Sequence, residues 1–272
     1  MQIDPEPGLG NVGGKAHQLY KLDQFVNVPP FFVVTFDDYR EIDESQAREA
    51  ILKECKKRDF NLVAVRSSAS VEDSPKTSFA GMFETCLAVK PTQVSDAVIR
   101  VVNSMFGEKV SNYCESQGLD EEKIEMAVIV QSMIESRVSG VCFTQINSKE
   151  QNLIIEACYG LGEAVVSGKV TPDSYTVNRN NLSIVEESVG YQKYMYSLVT
   201  NKDKSVSCRE VPFHKRNAKK LRKKDVRNIA KTCLDIEGRL SFGAVDIEWG
   251  YEKDVLYILQ ARPYTGLSDQ KR

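Results

Sequence analysis

Apolar runs and polar breaks along the chain predict a mixture of helices and short strands. Helical spacing of apolar positions occurs at 15–25, 45–58 and 93–116, and a basic, helix-prone segment occupies 214–236. Short apolar or alternating runs predict strands, and they lie at 31–35, 62–65, 82–89, 126–133, 138–144, 153–157, 174–177 and 182–189, with a last strand pair at 242–263. This order of elements predicts an α+β protein.

A change of texture near Met126 predicts two lobes. Residues 1–125 form a helix-containing first lobe, residues 126–265 form a sheet-rich second lobe, and 266–272 form a flexible tail. A chain of 272 residues is long enough to bury a large core. Because ligands commonly bind at such junctions, we expect the ligand site between the lobes.

Composition excludes several classes of protein. The 36 basic and 38 acidic residues nearly balance, so no global field attracts nucleic acid or a membrane surface. The 7 cysteines are scattered without a C-x-x-C pair, which is typical of free thiols in a reducing cytosol. No apolar run approaches the ~20 residues of a membrane span, and the first residues lack the features of a signal peptide. The composition predicts a cytoplasmic protein.

The last strand pair carries the strongest chemical signal. Side chains alternate along a strand, so Asp246 and Glu248 point together, as do Gln260 and Arg262. A hairpin here places two carboxylates, an amide oxygen and a guanidinium on one wall. Hard oxygens bind Mg²⁺ and a fixed cation binds phosphate. A surface ion pair would explain any one of them, but the combination indicates a nucleoside triphosphate and its metal.

A glycine-rich segment near the start is a second candidate for anion binding. Gly13, Gly14 and Lys15 open a helix, so they offer backbone amides, a helix N-terminus and an ammonium group. The dinucleotide-binding fingerprint does not apply, because too few residues precede Gly8 to form its strand. The P-loop pattern fails because Ala16 follows Lys15. The alternative is a flexible terminus with a solvated lysine.

The long polar loop 66–81 follows an apolar strand. It combines the Arg66 guanidinium with hydroxyls and small residues up to Gly81, and Thr85 follows shortly after. Small residues let backbone amides approach phosphate oxygens, and long loops in compact domains are usually functional. A polar surface loop is the alternative, but Arg66 at a strand end favours phosphate binding.

Two further segments permit more than one interpretation. Gln131 ends an apolar strand where the lobes should meet, and a hinge strand there can offer its backbone edge to adenine. The alternative is a buried amide satisfied locally. The glycine-rich loop 160–168 could cover phosphates or lie near the acceptor, although alone it is only a turn signal.

The basic run 214–224 is better explained as a solvated helix face than as a nucleic-acid surface. It has no interleaved aromatic residue apart from Phe213, and the rest of the chain is not basic. The 2 histidines, His17 and His214, form no metal pair or triad in the sequence. We therefore expect the chain to position ATP without a phospho-accepting residue of its own.

Taken together, these motifs resemble the ATP-binding domain of the phosphoenolpyruvate synthase and pyruvate, phosphate dikinase family, which includes rifampicin phosphotransferases. The matching segments are, in chain order, GGKAHQLYKL, VPPFFVVT, VRSSASVEDSPKTSFAGMFET, VIVQSMI, SGVCFT, EACYGLGEAVVSGKVTPDSY and the DIEW and LQARP strands of the last pair. The family fold is an ATP-grasp, in which two α+β lobes clamp ATP. The resemblance therefore implies that fold, with ATP and Mg²⁺ as cofactors.

In the first lobe, the resemblance assigns contacts with the nucleotide. Lys15 is similar to the family's phosphate-binding lysine, and Arg66, Gly81 and Thr85 are similar to its phosphate-contacting loop. Gln131 resembles the residue at the adenine-binding hinge. By the same resemblance, Lys15 and Arg66 also have catalytic roles.

In the second lobe, the resemblance assigns the metal and the transferred phosphates. Glu248 and Gln260 are similar to the metal-bearing pair, and Asp246 assists them. Arg262 resembles the catalytic arginine that holds the phosphates.

Two departures from the family pattern affect the functional hypothesis. The stretch 39–66 is shorter than in the family, so we expect a trimmed first lobe, and Phe31 replaces a usual glycine. The sequence contains no T-S-H segment of the kind that carries the family's phospho-accepting histidine. We therefore predict a Mg-ATP-dependent phosphotransferase that passes phosphate to a histidine on a separate swivelling domain or acceptor subunit. The alternatives are a stand-alone kinase of a small molecule and a non-catalytic regulatory subunit that binds nucleotide.

Overall fold

The computed structural model describes residues 1–4, 9–36, 43–70, 82–117, 124–145, 151–162, 168, 170–199 and 205–264. The chain divides into two compact units. The first unit comprises Met1–Lys21, Pro29–Met133 and Val199–Ser205, and the second comprises Leu22–Val28, Ile134–Leu198 and Val206–Arg272. Each unit combines an antiparallel sheet with at least one helix, so the predicted α+β class is confirmed.

The first unit is built on a five-stranded sheet with the order β1-β2-β5-β3-β4. Its strands are β1 (Gln2–Ile3), β2 (Phe31–Thr35), β3 (Val63–Ala69), β4 (Thr85–Val89) and β5 (Met126–Ser132), and its helices are α1 (Leu9–Leu22), α2 (Glu44–Lys57), α3 (Val94–Asn103) and α4 (Glu108–Gln117). Because β5 lies between β2 and β3, it belongs to this unit. The division therefore falls after Met133 and not near residue 125, where the change of texture had placed it.

The two faces of this sheet have different characters. Val63 and Val65 on β3 and Val128 and Val130 on β5 join the buried cluster that includes residues of α2 and α3. Burying these branched side chains contributes about 1.5–3 kcal/mol each before entropy is counted. The alternate positions of the same strands supply the opposite face, and they are Ala64, Arg66 and Ser68 in β3 and Ala127, Ile129 and Gln131 in β5.

The second unit contains a six-stranded antiparallel sheet with the order β13-β12-β6-β7-β8-β9 and a two-stranded ribbon, β10-β11. Its strands are β6 (Val138–Phe143), β7 (Asn152–Tyr159), β8 (Asp173–Asn178), β9 (Ile184–Ser188), β10 (Tyr194–Val199), β11 (Ser205–Glu210), β12 (Val245–Glu252) and β13 (Val255–Pro263). Helix α5 (Lys223–Leu240) packs on β6 and β7 through an apolar stripe that includes Ile229, Cys233 and Ile236. This leaves the other face of the sheet available for polar side chains.

Several elements differ from the prediction. The helix expected at 93–116 is divided into α3 and α4, because Gly107 is extended (φ −81°, ψ 148°) and no helix continues through such a residue. Strand β3 extends to Ala69, so Arg66 lies inside a strand and not at its end. The ribbon β10-β11 was not predicted. None of the helices in the described part of the chain is long and apolar enough to cross a membrane.

Candidate functional site

In the first unit, strand register brings three of the predicted residues to one face of the sheet. Arg66 is paired with Thr85 on β4 and with Ile129 on β5, and Ala64 is paired with Gln131. Directly opposed residues share a face, as do residues two apart in a strand. Arg66, Thr85 and Gln131 therefore lie on the same side, opposite the apolar core.

Helix α1 carries Lys15 to this face. Gly13 interrupts the helix at φ 70°, and a Cβ there would lie 2.0 Å from the backbone oxygen of Ser68, so only glycine allows this approach. The Ser68 hydroxyl accepts a hydrogen bond from the Ala16 amide (2.9 Å) and donates one to the Val12 carbonyl (2.7 Å). Since Ser68 lies two positions after Arg66 on β3, the segment that carries Lys15 is fixed beside the Arg66 face.

Gln131 is the most buried of these predicted residues. Its exposed fraction is 3%, and among the described residues its side-chain Nε2 has no hydrogen-bond partner. Leaving a buried donor unsatisfied costs about 1–3 kcal/mol. Gln131 is paired with Phe31 on β2 and with Ala64 on β3, so the predicted contact of adenine with a free backbone edge is wrong at this position. An acceptor atom on a bound ligand would satisfy the side-chain donor instead. Gly81, with the rest of the loop 71–81, lies outside the described residues.

In the second unit, the register of the last hairpin brings the four predicted side chains together, and β12 continues through Glu252, so the connecting turn is only two residues long. Asp246 on β12 faces Arg262 on β13, and Glu248 faces Gln260. The register shifts directly after Glu248, so that Trp249 is opposite Ile258. A bulge of this kind locally bends and twists a strand pair. All four polar side chains lie on the face of the sheet away from α5, and we refer to them as the polar wall.

The polar wall has the chemistry of a cation and phosphate site. Arg262 Nε donates to Asp246 Oδ2 over 2.8 Å. Burial raises the pKa of Asp246 above its ordinary value, although the Arg262 guanidinium acts in the opposite direction. The second carboxylate oxygen, Oδ1, is buried and has no hydrogen-bond partner within the described ranges.

The donor set of the polar wall fits Mg²⁺. Two carboxylates and an amide oxygen are hard ligands, and Mg²⁺ keeps waters and substrate phosphates for its remaining positions. No cluster of three or more His, Cys, Asp or Glu side chains able to hold a metal ion occurs among the described residues. A site on this wall would thus be completed by water and by the nucleotide.

Sequence reasoning missed Glu156, which also lies on the wall side of the sheet. Glu248 on β12 is paired with Val141 on β6, which in turn is paired with Glu156 on β7. Burial raises the pKa of Glu156. The available signal was a single carboxylate within the apolar strand β7, but only the register of three strands connects it with Glu248.

The second glycine-rich loop is described only in part. Gly160 has φ 83°, and a Cβ there would lie 2.1 Å from the Tyr196 carbonyl oxygen, so this glycine allows close packing against β10. Residues 163–167 of this loop lie outside the described residues, as does the predicted tail 266–272.

Comparison with known proteins identifies the class of domain. Residues 44–272 match the family described as pyruvate phosphate dikinase, AMP/ATP-binding domain. The chain therefore belongs to this family, and the resemblance stated from the motifs is confirmed. Family membership also supports the predicted ATP-grasp class of α+β fold.

Individual relatives agree with this assignment. The chain is 38% identical over 213 residues to a probable phosphoenolpyruvate synthase of Methanocaldococcus jannaschii, covering 77% of this chain and 18% of that protein. It is 36% identical over 217 residues to the phosphoenolpyruvate synthase of Pyrococcus furiosus, covering 76% of this chain and 26% of that protein. The chain thus spans less than a third of the length of these relatives.

Two solved structures that match the chain are distant from it in sequence. One is the D-alanine–D-alanine ligase of Bacillus anthracis complexed with ATP, at 9% identity and a TM-score of 0.39, with 92% of this chain and 55% of that chain covered. Another is the ATP-grasp ligase PsnB, at 10% identity and a TM-score of 0.36, with 92% and 49% covered.

Proposed function

We propose that this chain is a Mg-ATP-dependent phosphotransferase module of the phosphoenolpyruvate synthase type, which passes phosphate to a histidine on a separate partner protein. The observation that carries the proposal is the polar wall, where Asp246, Glu248, Gln260 and Arg262 share one face of the sheet. The Lys15 and Arg66 face of the first unit supplies a second set of phosphate-binding groups.

The overall reaction consumes ATP and water and yields AMP, phosphate and phosphohistidine. A bond forms between an imidazole nitrogen of the partner and phosphorus, and two phosphoanhydride linkages of ATP are broken. Water supplies the oxygen of the released phosphate. Phosphoryl transfer depends mainly on positioning and on neutralising charge, so this chain needs no nucleophile of its own.

The proposed roles follow from the chemistry of each side chain. Arg66 and Arg262 offer planar, permanently charged forks that match phosphate oxygens, and Lys15 adds a compact cation. Gln131 orients the adenine, and the Thr85 hydroxyl contacts a phosphate. Mg²⁺, when bound by Glu248 and Gln260 with help from Asp246, would neutralise charge on the phosphates.

The first test is nucleotide binding. We expect ATP with Mg²⁺ to raise the melting temperature, because a ligand at about 100 times its Kd stabilises the folded state by about 2.7 kcal/mol. Thermal shift with ATP, GTP and metal-free ATP measures this effect. Lys15→Ala should reduce the shift, whereas Lys21→Ala, an exposed lysine of the same helix, should not. An equal response to ATP with and without metal would argue against the polar wall as a metal site.

The second test identifies the reaction. We expect little ATP turnover by the chain alone and release of AMP when an isolated swivelling histidine domain is added. Chromatography of the nucleotides, with a histidine-free variant of that domain as control, measures both products. ADP as the sole product would favour the small-molecule kinase. Tight ATP binding without either product, whatever acceptor is supplied, would favour the regulatory subunit.

A further inference from the structure

A cleft in the second unit lies apart from the polar wall. It has a volume of about 940 Å³ and is located beside the turn that joins β12 to β13. Tyr159, Met195 and Leu221 contribute apolar surface to its lining. Tyr159 is three positions beyond Glu156 on β7, so it projects to the opposite face of the sheet, the face on which α5 packs.

Basic side chains surround this cleft, and most of them are already neutralised. Arg137, Lys219 and Arg222 each form an ion pair with a carboxylate. Their partners are Asp225, Glu187 and, for Arg222 in addition, Asp254. Lys215 and Lys253 also line the cleft, and neither forms an ion pair with any described residue. The cleft therefore has two uncompensated positive charges beside apolar surface.

Lys253 has an unusual backbone conformation. Its φ of 55° is in the left-handed region, which side chains other than glycine adopt unfavourably. Two-residue hairpin turns require positive φ, so the turn between Glu252 and Val255 accounts for this conformation. The turn thus presents an ammonium group at the margin of the cleft where glycine would be easier to accommodate.

A fully buried ion pair fixes the wall of the cleft. Lys220 Nζ lies 2.7 Å from Asp173 Oδ1, and both side chains have an exposed fraction of 0%. The Lys220 amide also donates to Asp173 Oδ2 (2.8 Å), and its ammonium lies 5.6 Å from the centre of the Tyr159 ring. The segment from Lys219 to Arg222 is therefore held rigidly before any ligand arrives, which lowers the entropic cost of binding.

We propose that this cleft is a second ligand site that binds a small organic anion with an apolar body, such as a carboxylate or phosphate ester on an aromatic or aliphatic skeleton. Its volume is in the range of about 300–1,000 Å³ that small-molecule sites occupy. The apolar lining would hold the body of the ligand, and Lys215 and Lys253 would hold its anionic group. This site is independent of the proposed ATP site.

A pair of fluorescent probes tests both parts of the proposal. 8-Anilinonaphthalene-1-sulfonate has an apolar body and one negative charge, and N-phenyl-1-naphthylamine is the same skeleton without the sulfonate. We expect the sulfonate to bind the folded chain at one saturable site. Lys215→Ala with Lys253→Gly should raise its Kd by on the order of tenfold, which corresponds to about 1.4 kcal/mol, and leave the uncharged probe nearly unchanged.

The matched control removes two charges elsewhere. Arg227→Ala with Lys231→Ala changes exposed residues of α5 that do not line the cleft, and it should leave both affinities unchanged. Glycine relieves the left-handed backbone at position 253 but adds freedom to the unfolded chain, so we expect only a small net change in melting temperature. The melting temperature of the double variant, measured beside its Kd, separates weaker binding from unfolding. Ala218→Trp, which fills the cleft from its lining, should abolish binding of both probes.

Other outcomes would overturn the proposal. The proposal is wrong if the sulfonate probe shows no saturable binding. It is also wrong if the cleft variant and its control lose the same affinity for that probe. Displacement of the sulfonate by ATP with Mg²⁺ would assign the probe to the nucleotide site instead. Because the probe measurement requires no turnover, failure of the phosphotransferase proposal would leave this test intact.

Discussion

Replacing Glu248 and Gln260 together with alanine is expected to abolish ATP turnover and to leave the fold intact. The two residues are paired across β12 and β13, on the face of the sheet away from α5. Their oxygens are proposed ligands of Mg²⁺, and losing one such transition-state contact typically lowers kcat by about 10²–10³-fold. For the pair we expect a loss on the order of 10³-fold or more, measured as AMP release with the partner present.

A control for this experiment is available on the same face of the same sheet. Strand pairing places Glu186 of β9 on the wall side of the sheet but at its opposite edge, and Glu186→Ala should leave turnover unchanged. Circular dichroism and the melting temperature report whether each variant is folded. If the double variant unfolds, and turnover per folded molecule equals that of the parent, the two residues are structural and the metal assignment is wrong.

The polar wall could be predicted from sequence because the residues that form it are close together along the chain. Alternation within each strand places Asp246 with Glu248 and Gln260 with Arg262, and the short turn between the strands leaves few possible registers. The bulge after Glu248 could not be predicted, because nothing in the local pattern indicates which strand carries the extra residue.

The first-unit face depends on long-range pairing that the sequence pattern does not contain. Arg66 and Gln131 share a face because β3 pairs with β5, which follows β3 only after β4, α3 and α4. The contact of Gly13 with Ser68 is equally nonlocal, and it decides where Lys15 lies. The motifs therefore identified the residues, whereas sheet topology determined which of them share a surface.

The missed elements also have physical explanations. One continuous helix was predicted for 93–116, because the spacing of apolar residues gives no sign that the backbone of Gly107 is extended. The ribbon β10-β11 contains many polar residues, and its pairing depends on tertiary context, to which strand formation is more sensitive than helix formation.

Loss of either proposed phosphate-binding arginine is expected to reduce the rate of transfer more than the affinity for ATP. Arg66 and Arg262 should stabilise charge that develops as phosphate leaves ATP, so Arg66→Ala and Arg262→Ala should each lower kcat by about 10²–10³-fold. The Kd for ATP should rise much less, because each arginine is one of several groups that contact the nucleotide. Single-turnover rates and equilibrium binding measure the two effects separately.

Arg262 requires an additional control because it neutralises Asp246. In Arg262→Ala the buried Asp246 carboxylate loses its partner, which should lower stability by about 1–3 kcal/mol. Adding Asp246→Asn removes the unpaired charge, so the double variant should recover stability. Because Asp246 also assists the proposed metal site, its turnover is compared with that of Asp246→Asn alone, and we expect the double variant to be slower. If the two are equally active, the arginine acts through folding alone. For Arg66, the matched control is Arg100→Ala. Arg100 is an exposed arginine of α3, and its loss should change neither kcat nor the Kd for ATP.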